Sequence, residues 1–136
     1  MATIYLDTSA VVKRALPEAQ SAGFVDAIEL ALSAGGVLVT SALTQVETGR
    51  ALRRRPEHLA IGVEAAFREA LQGIAVAPIT GVVVELARTA DPPLLRSLDA
   101  IHLATAVALS CDELWTYDER LAEAARGAGM TARAPV

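Results

Sequence analysis

The order in which two kinds of segment follow one another constrains this chain most. Short apolar, β-branched runs alternate with longer stretches of helical periodicity from one end to the other. Thr3–Leu6 (TIYL) is such a run, and Asp7, Thr8 and Ser9 follow it. Apolar positions at helical spacing then cover Ala10–Leu16, until Pro17 stops them. Gln20–Ser33 is amphipathic, with Phe24, Ile28 and Leu32 on one face and Gly35-Gly36 beyond its end. Val37–Val39 is strand-like, and Thr40 and Ser41 offer caps for a helix over Ala42–Arg54, closed by Pro56. Ala60–Leu71 predicts a helix and Ile74–Ile79 a strand. Gly81–Thr89 predicts a helix before the turn Asp91-Pro92-Pro93, and Ser97 can cap a further helix over Leu98–Leu109. Glu113–Tyr117 predicts a strand, Asp118–Arg126 a helix and Thr131–Arg133 a last strand. Strands separated by helices of this length predict one α/β domain over residues 1–136, with a central parallel sheet of about five strands between two helical layers.

Composition narrows the classes. With 136 residues, 53% of them hydrophobic, the chain can bury a core without staples and is not disordered. Its single cysteine, Cys111, closes no internal disulfide and excludes cysteine-built metal clusters; it reads as a small buried hydrophobe. No apolar run approaches the ~18 residues of a membrane span, and MATIYLDTSA lacks the basic and apolar regions of a signal peptide. The expectation is a cytoplasmic protein that does not enter the membrane. A net charge of −4 and an aromatic content of 4% argue against a basic groove or a base-stacking platform for nucleic acid.

The positions of the acids reverse that argument. In open parallel sheets, ligands bind beyond the carboxyl ends of the strands. Asp7 and Asp118 each follow a predicted strand, Asp99 lies in the first turn of its helix, and Glu47 lies one to two turns into the helix after the second strand. All four fall on the same edge of the sheet. An Asp at a helix start is also a good cap, and Glu47 can pair with Arg50 one turn on. Asp7 is harder to assign to capping, because Thr8 or Ser9 can cap that helix. Four carboxylates together suit Mg²⁺ or Mn²⁺, hard cations that take oxygen ligands and act on phosphate esters. Set those four aside and acids and bases are equal in number, so on this reading the acidic excess equals the charge of one pocket.

At these positions the sequence resembles the PIN-domain ribonucleases, and within them the VapC-type toxins of bacterial toxin–antitoxin pairs. The stretch YLDTSAVVKR carries Asp7, TSALTQVETGRAL carries Glu47, RSLDAIHLATA carries Asp99 and LWTYDERLAEAARGAG carries Asp118. Thr116 matches a hydroxyl residue that the family often has two places before its last acid. Together the motifs span nearly the whole chain in the family's order. The resemblance implies an α/β/α PIN domain and an endoribonuclease dependent on Mg²⁺ or Mn²⁺. Asp7, Glu47, Asp99 and Asp118 would hold the metal, Thr116 would support them, and water activated by the metal would attack the RNA phosphate. It further implies a homodimer and a VapB-type antitoxin that joins it in a hetero-oligomer and blocks the acidic site.

Around the acids, Arg53, Arg54 and Arg55, with Arg50 one turn earlier, form the densest positive patch and are candidates to lead RNA phosphates inward. Lys13 and Arg96 are weaker candidates of the same kind. The same arginines also suit a solvated helix end. His102, one turn after Asp99, reads as a residue that packs or bonds near the site, since an all-oxygen magnesium site does not favour imidazole; His58 reads as surface. Two other classes share strand-end acids. A magnesium-dependent phosphatase or phosphotransfer domain would use Asp7 as nucleophile, although Ser9 stands where its second acid belongs. A non-catalytic interaction domain would spend its acids on a basic partner.

Overall fold

The computed structural model describes residues 1–136 and forms one five-stranded sheet, parallel throughout, in the order β3-β2-β1-β4-β5. The strands are β1 (Thr3–Leu6), β2 (Val37–Ser41), β3 (Ala75–Ala77), β4 (Glu113–Trp115) and β5 (Thr131–Arg133). Seven helices connect them: α1 (Thr8–Val11), α2 (Ser21–Ser33), α3 (Ala42–Arg53), α4 (Val63–Leu71), α5 (Gly81–Arg88), α6 (Ser97–Ala108) and α7 (Glu119–Gly127).

Successive strand residues point to opposite faces, and both faces are buried here. Ile4 and Leu6 of β1, Leu38 of β2 and Trp115 of β4 pack with Phe24 and Ile28 of α2 on one side. Tyr5, Val39 and Leu114 pack with Leu103 of α6 and Leu121 of α7 on the other. Two helical layers therefore enclose the sheet, as the alternation predicts. A smaller cluster of Leu16, Leu52, Leu59 and Ala66 fills the space beneath α3 and α4.

Several boundaries differ from the sequence reading, for local reasons. The predicted strand Ile74–Ile79 shortens to Ala75–Ala77, because Pro78 has no N–H to continue an edge ladder. By contrast, β2 runs on to Ser41, whose side chain, rather than that of Thr40, caps α3 by accepting from the Leu43 N–H. Thr40 is spent instead on the Leu6 carbonyl at 2.6 Å and on Thr44 at 2.7 Å. The helix predicted from Ala60 begins at Val63, since Gly62 takes the left-handed φ of 85° just before it. The stripe on α2 ends at Ile28, and Leu32 is largely exposed. Ser97 does not cap α6: Arg96 occupies that position and makes no side-chain cap bond.

The strand order places the site. From β1 the chain moves outward to β2 and β3, then returns to lay β4 on the other side of β1. Connections leaving β1 and β4 diverge there, and a crevice opens at the carboxyl ends of these two strands. Leu6 pairs in register with Trp115, so Asp7 and Thr116 emerge side by side.

Candidate active site

Asp7 lines the floor of this crevice. It caps α1 itself, accepting the Ala10 N–H at 3.0 Å, so the expectation that Thr8 or Ser9 would free it from that duty is corrected. Ser9 donates to the same oxygen at 2.7 Å, and Thr116 donates to the other at 2.6 Å. Asp7 is only 4% exposed. Burial pushes its carboxyl above the usual carboxylate range, against the opposing influence of nearby His102 and these hydrogen bonds. All three direct donors are uncharged, so nothing in contact with the carboxylate neutralises it.

Thr116 ties this floor to the β4 side. Its hydroxyl, which donates to Asp7, accepts the Asp118 N–H at 3.0 Å. Asp118 caps α7 through the N–H groups of Arg120 and Leu121. Its other oxygen accepts from Arg96 at 3.0 Å, and the same guanidinium reaches Asp99 at 3.2 Å. Arg96 thus spans two of the four acids, a cation seated between carboxylates that would otherwise repel.

Glu47 approaches from α3. Its expected partner Arg50 does not pair with it. Instead Thr8 donates to Oε1 at 2.6 Å, and His102 Nε2 lies 2.8 Å from the same oxygen. Burial raises the Glu47 carboxyl, but the bonds from His102 and Thr8 outweigh burial and hold it below its ordinary value.

The four predicted acids therefore share the strand-exit edge, joined through Thr116, Arg96, Thr8 and His102. They do not converge on one point: no three acidic, histidine or cysteine side chains stand close enough to ligate a single ion as placed. The donor set nonetheless suits a hard cation, being all carboxylate with hydroxyl support. The uncompensated Asp7 and the guanidinium between Asp99 and Asp118 both mark places where positive charge belongs.

The basic candidates divide. Arg50, Arg53, Arg54 and Arg55 are all exposed at the end of α3; only Arg55 meets an acid, Glu18 at 4.0 Å. Lys13 does not fit its predicted role of meeting RNA. It is buried, bonds Glu18 and Gln20 at 3.0 Å each and lies over the Tyr117 ring. Arg96 is committed to the acids. Sequence reasoning overlooked Thr8, Ser9 and Tyr5. The first two were visible as polar residues after a strand, where a cap and a site look alike; Tyr5 carried no signal beyond its fit to a strand.

A family model for the PIN domain matches residues 4–127. Ribonuclease VapC46 of Mycobacterium tuberculosis is 42% identical over 137 aligned residues that cover 99% of each chain. Ribonuclease VapC47 of the same species is 34% identical, over 97% of this chain and 96% of its own. Two solved structures share the fold. M. tuberculosis VapC20, described as a sarcin–ricin loop cleaving toxin, superposes with a TM-score of 0.66 at 22% identity, over 97% of this chain and 99% of its own. VapBC2 from Rickettsia felis, bound to a DNA fragment from its promoter, reaches 0.74 at 12% identity, over 96% of this chain and 97% of that one. With the acids at the switch point and these matches along its full length, the chain belongs to the PIN-domain family, among its VapC-type ribonucleases.

Proposed function

We propose that this protein is the toxin of a type II toxin–antitoxin pair, an endoribonuclease that works with Mg²⁺ or Mn²⁺. The observation that carries the metal dependence is Asp7, a buried carboxylate touched only by neutral donors, at a crevice edge shared with Glu47, Asp99 and Asp118. Burying such a charge is costly unless a cation offsets it. The four acids would hold the metal. When bound, it supplies positive charge to a phosphodiester and acidifies water. Thr116 and Ser9 keep the Asp7 oxygens in place, and Thr8 and His102 do the same for Glu47. Arg96 balances Asp99 and Asp118 while no metal is held; a bound metal would take over that role and release the guanidinium to meet an RNA phosphate.

The toxin role draws on the relatives. Both curated homologues are named ribonucleases, and structural neighbours include a VapBC assembly and a toxin–antitoxin complex from Klebsiella pneumoniae, the latter with a TM-score of 0.67. A VapB-type antitoxin, a homodimer and cytoplasmic action complete the proposal; no helix is long and apolar enough to cross a membrane. Asp99→Asn tests the reading. It should lower RNA cleavage in Mg²⁺ or Mn²⁺ at least ~100-fold, since even second-shell changes at metal sites cost 10–100-fold. The far-ultraviolet circular dichroism should not change, and induced expression should no longer arrest growth. Full activity in the variant would refute the assignment.

A further inference from the structure

His102 stands on α6 with both ring nitrogens occupied and 3% of its surface exposed. Nδ1 lies 2.7 Å from the hydroxyl of Tyr5, and Nε2 lies 2.8 Å from Glu47 Oε1. The Tyr5 ring meets the imidazole edge-on, at 68° with centroids 5.8 Å apart. Tyr5 is on the central strand and wholly buried. A phenol keeps its proton at neutral pH. A carboxylate can only accept, so the nitrogen facing Glu47 bears a proton, and on a neutral imidazole Nδ1 then accepts from the Tyr5 hydroxyl. The imidazole then carries its proton on Nε2 and donates to Glu47. Thr8 donates to the same Oε1, and Oε2 has no protein partner.

We propose that His102 is a positioning residue: held between the Tyr5 hydroxyl and Glu47, it pins Oε1 of Glu47 and leaves Oε2 as the oxygen offered to the cation. The inference rests on the metal-dependent reading of the same site. A histidine kept only to fill space needs neither bond, and a leucine or phenylalanine would serve there. This one joins the middle of the sheet to a carboxylate at the site's edge, across a sequence separation of 97 residues on one side and 55 on the other. The rigidity of β1 thereby passes to a side chain carried by α3. Second-shell hydrogen bonds of this type govern metal affinity through ligand orientation.

The test begins on the metal-free protein, with nitrogen-15 NMR of labelled histidine at neutral pH. Nδ1 of His102 should resonate as an unprotonated nitrogen and Nε2 as a protonated one; a proton on Nδ1, alone or together with Nε2, would overturn the claim. Calorimetric titration with Mn²⁺ then compares two variants. His102→Leu supplies no donor and should weaken binding 10–100-fold. It should reduce kcat by a similar factor while the KM for RNA changes little. His102→Gln carries an amide N–H to the same place and should recover most of both. Wild-type Mn²⁺ affinity in His102→Leu, or no recovery in a folded His102→Gln, overturns the proposal. Should His102→Leu fail to fold, Tyr5→Phe keeps the ring and removes only the hydroxyl; it should loosen the imidazole and weaken Mn²⁺ binding, and an unchanged Mn²⁺ affinity overturns the role of Tyr5. Failure of the wild type to bind Mn²⁺ or Mg²⁺ would instead refute the metal-dependent reading, with the NMR result still deciding the tautomer.

Discussion

Asp7 shows how a residue can be unfavourable for the fold and still belong to it. An acid whose folded value is raised binds its proton more tightly in the folded state than in the unfolded one. Its contribution to stability is therefore fullest below the unfolded value and is lost as pH rises through the folded value. Asp7→Asn keeps the shape and can still accept from Ser9 and Ala10 while removing the charge. Above pH ~4, where a free aspartate ionises, the metal-free variant should be more stable than the wild type. The gain should appear as a higher melting midpoint, each kcal/mol being worth about 3–5 °C in a chain of this size. Differential scanning calorimetry between pH 4 and 7 should show the gap widening with pH. Mg²⁺ should narrow it, since a ligand that binds only the folded wild type stabilises it by mass action. The acids were legible in the sequence because each stands where a strand ends or near a helix start. Their supports were not. Thr8 and Ser9 have the composition of caps, and the pairing of Tyr5 with His102 leaves no local trace.

Among the elements, α3 does two jobs with one helix. Its buried stripe of Thr44, Thr48 and Leu52 fixes its rotation. At helical spacing, Arg50 and Arg54 then fall three and seven residues beyond Glu47, on the same face, while Arg53 turns away. This separates residues that the sequence presents as one patch. Arg50→Ala and Arg54→Ala should each weaken binding of single-stranded RNA and flatten its dependence on log salt by about 0.7, the value for one phosphate contact. Arg53→Ala should do neither. Fluorescence anisotropy over a salt series, with the catalytically silent Asp99→Asn as the parent, measures both. The departure of Lys13 has a related cause. The helix predicted over Ala10–Leu16 tightens into a 3₁₀ turn at Val12–Arg14, and Lys13 there folds over Tyr117 toward Glu18. A reading that continued the α-helix had no means of foreseeing that turn.

For the molecule as a whole, alternating runs sufficed for the class of fold and for its parallel sheet, because parallel strands need a crossover long enough to hold a helix and the runs supply one after each strand. The position of β4 beside β1, with the crevice it creates, was not legible in that alternation, which carries no strand order. The two apolar layers meet through side chains such as Leu114, fully buried against α6 and α7. Leu114→Ala should cost about 2–5 kcal/mol in urea unfolding, the range for a leucine truncated in a packed core. Activity should survive in whatever fraction stays folded, because Leu114 packs among apolar side chains and makes none of the hydrogen bonds of the site. The pairing of β1 with β4 also sets a timetable. Asp7 and its partner Thr116 lie 109 residues apart, and a ribosome needs on the order of ten seconds to cover that distance. Throughout that interval the nascent chain carries half of a crevice, and the enzyme that cuts RNA cannot be completed while most of its own message remains unread.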